Sequence, residues 1–463
     1  MQRTHLFQST LRIALLTTVL SSLVASSVGH AADVPVSPGP WFPDEADPAW
    51  KPRITPAEAR AIAARRRDWE ISLHNLCEID AATAAALVGD RAFCRLSLPS
   101  LTQIDADAAA ALAGGGCDLD LPALQGMTVS VATALAQHDG RLELCGVATI
   151  SADTAVALAG HRGHLVLSGI AELDPAVAAL LAGHRGQLSL PGLRLLSPPL
   201  AAALSGHRGD VLVLGGIRSL SVDVAMPLAA HQGSLLLTGL DECDPAAAAV
   251  LSSHRSPMAI GGPAAISVEV AAALANHQGV LTLATRSELA PNLAAALAMH
   301  RGTLMLPDLA AFTPETATAF ASHRGMLCLA GVTVLDANAA EALVGHEGSL
   351  ILSGLRSISP AAARALSMHR GSLDLFPLTQ TTRLDSVELA DLLRRRLASM
   401  TLPNVSILDA PDSVAIARSL ASSAGFVALP NLRAASPLAL AALRSKADMV
   451  LPPDDAIELL PEP

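Results

Sequence analysis

The sequence predicts an α/β repeat solenoid, with a parallel β-sheet on the concave side and short helices on the convex side. Three observations carry that prediction. The first is a histidine that returns eleven times at nearly fixed spacing: His138, His161, His184, His207, His231, His254, His277, His300, His323, His346 and His369. Nine of the ten intervals are 23 residues and one is 24, and all but His254 open a His-x-Gly triplet. Self-similarity at a fixed period in this range marks a stack of identical supersecondary units. The second is a pair of alternating apolar residues at the same phase of every repeat, which is a strand signal. The third is an Ala-rich run between that pair and the next histidine, which favours helix.

One unit shows how each element arises. In residues 348–371, Leu350 and Leu352 alternate as the strand, and Leu355 and Ile358 keep facing inward as the chain turns. Ser359 is placed to cap a helix and Pro360 to be its first residue. Asp80, Asp105, Asp174, Asp244, Asp336 and Asp385 occupy the same kind of helix start. Gly371 is expected to end the helix in a left-handed conformation. The strand pair recurs from Ile71/Leu73 through Leu165/Leu167, Leu235/Leu237 and Leu304/Leu306 to Met449/Leu451. That gives seventeen strands, expected in one parallel sheet of roughly 80 Å at about 4.8 Å per strand.

The expected domains follow: a signal peptide over 1–32, a Pro-rich acidic linker or N-terminal cap over 33–53, the solenoid over 54–453, and a C-terminal tail over 454–463. Regular 23-residue repeats run from about 117 to 371, with atypical repeats on both sides, as terminal coils of solenoids commonly are. After His369 the spacing lengthens and Arg394-Arg395-Arg396 replaces the turn triplet. Trp41, Phe42 and Trp50 in the linker are placed to fold over the first coil.

Composition sets the limits on function. The chain has 463 residues, 51% of them hydrophobic and 16% charged, which argues for an extended buried core and against disorder. A formal charge of −11 gives no reason to expect a nucleic-acid partner. The apolar run Ile13–Ala25, preceded by a positive region with Arg3 and Arg12 and followed by Gly29-His30-Ala31, reads as an export signal cleaved after Ala31 or Ala32. A periplasmic or secreted location follows, with no membrane span after signal removal. Six cysteines suit such a compartment. Cys94 and Cys117, 23 residues apart, occupy one column of successive coils at a spacing that a disulfide accepts.

The units, such as Leu188-Ser-Leu190-Pro-Gly-Leu193-Arg-Leu-Leu196-Ser197-Pro198, resemble the leucine-rich-repeat family, specifically its bacterial 23-residue class and Ala-rich variants in exported proteins. The resemblance covers nearly the whole mature chain. It departs from the common pattern in lacking the Asn column and in placing His at the helix end. The resemblance implies a curved solenoid and a role in recognising partners, and it implies no single activity.

Three sets of residues are candidates for function. The residue three before each histidine is Leu in ten repeats and Phe320 in the eleventh, so the histidines share the core face of their helices. They are expected to form a structural ladder that hydrogen-bonds open backbone groups. A metal- or pH-sensing ladder is the alternative. Arg162, Arg185, Arg208, Arg255, Arg301, Arg324 and Arg370, each following a ladder histidine, form a positive row suited to helix C-termini or to an acidic partner. The outward residues between the paired leucines make a central apolar stripe with polar ends. In that stripe Val166, Val213, Leu236, Met305 and Ile351 are the candidate partner-binding residues. No catalytic motif, metal site or cofactor site is found. The reading is a monomeric, non-enzymatic, exported scaffold that binds another protein through its concave face. The alternative is a structural spacer of the envelope.

Overall fold

The structure, a computed structural model, describes residues 51–64, 70–89, 95–262, 266–284, 288–382, 384–397 and 399–461. The expected signal peptide, nearly all of the linker with Trp41, Phe42 and Trp50, and Cys94 lie outside the described residues. The chain divides into two units, residues 1–265 and 266–463.

In the first unit, nine strands pair in parallel and in chain order: Glu70–Ser72, Arg95–Ser97, Asp118–Asp120, Leu142–Glu143, Leu165–Val166, Leu188–Ser189, Val211–Val213, Ser234–Leu237 and Met258–Gly261. Register advances by one repeat per strand, so that Leu119, Leu142, Leu165, Leu188, Leu212, Leu235 and Met258 stand side by side. All of these are buried, as are the second leucines of each pair. Between strands run helices of seven to nine residues, such as Ala152–Ala159 and Pro198–Ser205. Helices this short are marginal alone and hold only by packing. Their Leu and Ala faces enter the core while the opposite faces stay exposed.

Caps form where the sequence places them. Asp80 accepts from the Thr83 N–H at 2.7 Å and Asp105 from Ala108 at 2.7 Å. Ser359 accepts from Ala362 at 3.2 Å, with Pro360 as the first helical residue. Thr55 and Glu58 form a reciprocal capping box at the first helix, Pro56–Ala64. Asp385 is an exception: the cap of Val387–Arg396 is its neighbour Ser386.

In the second unit, five parallel strands follow: Val280–Ala284, Thr303–Met305, Leu327–Cys328, Leu350–Ile351 and Leu373–Asp374. The expected continuation in one sheet ends there. A 3-10 turn at Phe376–Gln380 lengthens the coil, and Met400–Thr401, Val427–Ala428 and Met449–Val450 form a separate three-stranded sheet. The seventeen strands are present, but not in one sheet. The expected tail is also part of the stack. Glu458–Leu459 pairs with Ala434–Ala435, and the Leu460 N–H donates to the Ala435 carbonyl at 3.0 Å.

Gly371 is not left-handed. Among the described residues only Gly89 and Gly262 have positive φ. The repeat requires glycine for a different reason. A Cβ on Gly371 would stand 1.8 Å from the Gly348 carbonyl oxygen, and one on Gly186 would stand 1.9 Å from that of Gly163. Backbone lies directly on backbone at these corners, so a side chain has no room there; the coil after His254 carries Ser256 at the same place, with its hydroxyl on the Gln232 carbonyl.

Candidate functional site

The ladder histidines lie where their helix face predicts. All eleven are buried, at 0–3% exposure. Each backbone N–H closes the end of its helix on the carbonyl three residues earlier, for example His161 to Leu158 at 3.0 Å and His323 to Phe320 at 3.0 Å. In the first unit the rings from His138 to His254 stack in sequence with centroids 5.6–6.3 Å apart. In the second, those from His277 to His369 stack at 5.7–6.2 Å.

The ring nitrogens face main-chain carbonyl oxygens. His138 Nδ1 lies 3.4 Å from Ala113 O and His231 Nδ1 lies 3.3 Å from Ser205 O. His369 has Leu343 O on Nδ1 and Gly348 O on Nε2, both at 3.3 Å. Ala113 and Ser205 are the last residues of helices in the preceding coils, where carbonyls lack intrahelical partners, whereas Leu343 O also accepts from the His346 N–H. A neutral imidazole has a single N–H and satisfies one of two such oxygens. Burial, the largest effect, holds His161, His207 and His346 down to about 4, and the neighbouring rings add to it. These three rings are therefore uncharged at neutral pH.

The outward strand stripe differs from its expected form. Val166, Val213, Leu236 and Met305 are buried, at 1–4% exposure, and only Ile351 is half-buried. Val213, Leu236 and Ala259 stand in register on adjacent strands and pack on one another, with Val211 against them. Strand spacing of about 4.8 Å brings such side chains into lateral contact, a geometry that alternation alone does not reveal.

The first strands carry a charged patch on the same face. Glu70, Arg95 and Asp118 are in register, with alternating signs, and Arg141 follows in the next coil. Arg95 reaches Asp120 at 3.0 Å, Glu143 at 3.5 Å and Glu70 at 3.9 Å, and Arg141 reaches Glu143 at 3.0 Å. Glu70 and Asp118 are exposed and the others are half-buried. Asp120 and Glu143 belong to the polar end expected of the outward stripe, and the alternation of sign at repeat spacing in Glu70, Arg95, Asp118 and Arg141 is the further signal of the patch. Asp120, Glu143 and Cys145 have ligand atoms within 4.8 Å of one another. Arg95 and Arg141 already neutralise these carboxylates.

The arginines that follow the ladder histidines are all exposed and make no ion pair with any described residue. Cys117 is disulfide-bonded, and its expected partner Cys94 lies outside the described residues. Cys77, Cys145, Cys243 and Cys328 are free thiols. Burial pushes Cys145, Cys243 and Cys328 up to about 11, the opposite of an activated nucleophile. Among the described residues no helix is long and apolar enough to cross a membrane.

Several solved structures are similar to this chain. A leucine-rich-repeat protein of Leptospira interrogans matches with 16% identity and a TM-score of 0.33, over 76% of this chain and 91% of that one. An internalin of Listeria monocytogenes matches with 14% identity and a TM-score of 0.33, over 69% and 82%. A chain of the Drosophila Toll–Spatzle complex matches with 11% identity and a TM-score of 0.37, over 78% and 54%. No family model and no curated protein matches the chain. Its own coils, each a leucine strand, a turn and a short helix repeated about every 23 residues and stacked in parallel register, have the architecture of a leucine-rich-repeat-like solenoid.

Proposed function

We propose that the chain is an exported, non-enzymatic scaffold that binds another protein through the outward face of its strands. The observation that carries this reading is the charged patch on the first four strands. Glu70, Arg95, Asp118, Asp120, Arg141 and Glu143 are set there at fixed spacing on a rigid sheet. Charges fixed in alternating order select a partner of complementary pattern. The stripe residues Val166, Val213, Leu236 and Met305 are buried, and Ile351 is the one candidate among them that is half-exposed. Export is supported by the apolar run Ile13–Ala25 and by the disulfide at Cys117, which suits an oxidising compartment.

The test is affinity capture from the native cell envelope with the full chain, beside a Glu70→Lys/Asp118→Lys variant whose far-UV circular dichroism is unchanged. A partner held by the wild type and lost by the variant supports the reading. A partner held equally by both removes the patch from recognition. The burial of the central stripe favours a second reading, a structural spacer in the envelope, and the absence of any captured partner would put that reading first.

A further inference from the structure

The ladder histidines are buried, so what each coil shows at the end of its helix is the residue after the ring. In three successive coils of the first unit that corner reads Gly-His-Arg-Gly, at 160–163, 183–186 and 206–209. Arg162, Arg185 and Arg208 are exposed, while the rings before them are covered. The rings set the pitch of the row, with centroids 5.6 Å apart from His161 to His184 and 6.0 Å from His184 to His207. Just beyond each arginine the coils touch through backbone. A Cβ on Gly186 would stand 1.9 Å from the Gly163 carbonyl oxygen, and one on Gly209 1.8 Å from that of Gly186. The Arg208 N–H also donates to the Ala182 carbonyl of the preceding coil at 3.2 Å. The roots of the three arginines are therefore held in line, one per coil.

Packing gives these side chains no partner. None makes a side-chain hydrogen bond or an ion pair with any described residue. Arg396 shows what a structural arginine does here: its guanidinium turns back onto the carbonyls of Leu366 at 3.1 Å, Ser367 at 3.2 Å and Gly371 at 3.2 Å. Nor does the corner require a cation. A helix end favours one at every coil alike, yet the same position holds Asp139, Gln232, Gln278 and Glu347 elsewhere. Those helices close in the same way, His138 N–H on the Leu135 carbonyl at 3.0 Å and His346 N–H on that of Leu343 at 3.1 Å. Like charges set side by side repel one another. Anions arriving at the same pitch would remove that repulsion at three points together.

We infer that Arg162, Arg185 and Arg208 form a binding track for a linear polyanion with one carboxylate per repeating unit, an acidic polysaccharide of the polyuronate type. Arginine suits that chemistry, because its planar guanidinium presents N–H donors in a fork that matches a carboxylate in bidentate fashion. The glycines on either side leave main chain beside the row, with Gly160 and Gly206 exposed, so a sugar ring has room to lie along it. Duplex nucleic acid fits less well. Its phosphates advance only about 3.4 Å along each strand, and the chain's formal charge of −11 opposes so large a polyanion. An anionic bilayer fits less well too, because exposed carboxylates bound the run. Asp139 occupies the corner one coil earlier, and Asp210 follows two residues after Arg208. A thread over three coils avoids both, whereas a broad surface meets them. This track lies at the helix ends, and it is separate from recognition at the strand face.

The experiment titrates the full chain with oligogalacturonates, from the single sugar to the octamer, at low and at high salt. It runs beside an Arg162→Gln/Arg185→Gln/Arg208→Gln variant and a control, Arg194→Gln/Arg218→Gln/Arg356→Gln, which removes the same charge away from the row. Far-UV circular dichroism confirms the fold of each. The expected result is an affinity that rises steeply from the single sugar to the tetramer and weakens with salt. It should fall about tenfold or more in the row variant, while the control binds as the wild type does. No binding of the longer oligomers by the wild type, an equal loss in both variants, or an affinity independent of length would overturn the inference. Row-dependent binding to phosphatidylglycerol vesicles with none to the oligomers would also overturn it, and would assign the row to lipid headgroups.

Discussion

Residues 277–371 and 373–460, both within the second unit, solve the same problem in two ways. Every coil leaves carbonyls open where its helix ends. In the first region, stacked neutral rings face them and bare glycine corners let the coils close. In the second, spacing is irregular and side-chain cations do the work. Arg396 caps four carbonyls of the last regular coil, and Lys446 Nζ donates to Ser423 O at 2.7 Å. The difference shows what regular repetition demands. A charge fits the slot once, at an end, but a column of adjacent slots must be filled by groups that can all remain neutral.

The sharpest way to break the regular region is at its glycines. Gly348→Ala places a Cβ 1.9 Å from the Gly325 carbonyl oxygen, backbone against backbone. We expect a loss of about 3 kcal/mol, read as a lowered urea midpoint. Gly345→Ala, three residues earlier, meets only the Ala321 methyl at 3.3 Å and the Ala342 carbonyl at 3.6 Å, and should change stability by less than ~0.5 kcal/mol. Equal effects would refute the stacking account of the His-x-Gly triplet.

Removing the cation should rank next. Arg396→Leu removes the guanidinium donor from the carbonyls of Ser367, His369 and Gly371, and from Leu366, which keeps only the His369 N–H, in a half-buried site. A cost of about 2 kcal/mol is expected in thermal or urea unfolding. It should be accompanied by a higher proton affinity of His369, which Arg396 lowers.

Acid should separate the two regions by degree. The folded-state values near 4 for His346, and also for His161 and His207, lie below the ordinary value of 6.5, so the unfolded chain binds more protons between them. Stability is therefore full above pH 6.5 and declines as pH falls toward 4. Hydrogen exchange, corrected for its intrinsic pH dependence, should show protection falling in 277–371 before 400–460. A uniform loss across both would count against the ladder as the acid-sensitive element.

The smallest effect should come from the surface pair that joins the two regions, Arg364 with Glu388 at 2.5 Å. Glu388→Gln is expected to cost no more than ~0.5 kcal/mol, because the arginine is largely exposed and loses rotamer freedom in pairing.

Much of this was legible in the sequence, because a repeat multiplies weak signals. The strand phase, the Ser359 and Asp80 caps and the inward placement of His161 or His323 follow from spacing alone. What escaped depends on contact between coils. The glycine of the triplet looks like a helix terminator until Gly348 is seen lying on Gly325. The outward stripe looks exposed until Val213 and Leu236 are placed in register. Strands of two residues, such as Ser219–Leu220 beside Glu242–Cys243 or the final Glu458–Leu459, are too short to show alternation. Arg396 as a cap needed the 27-residue coil to be folded before its reach could be seen.

The central claim is that the coils stack on a column of buried, uncharged rings. Ring nitrogen shifts of His161, His207 and His346 at pH 5.5 test it most directly. An ordinary histidine, with a value of 6.5, is about 90% protonated there. The account predicts neutral rings with one protonated nitrogen each. Imidazolium shifts at these three positions, with the chain still folded, would contradict it.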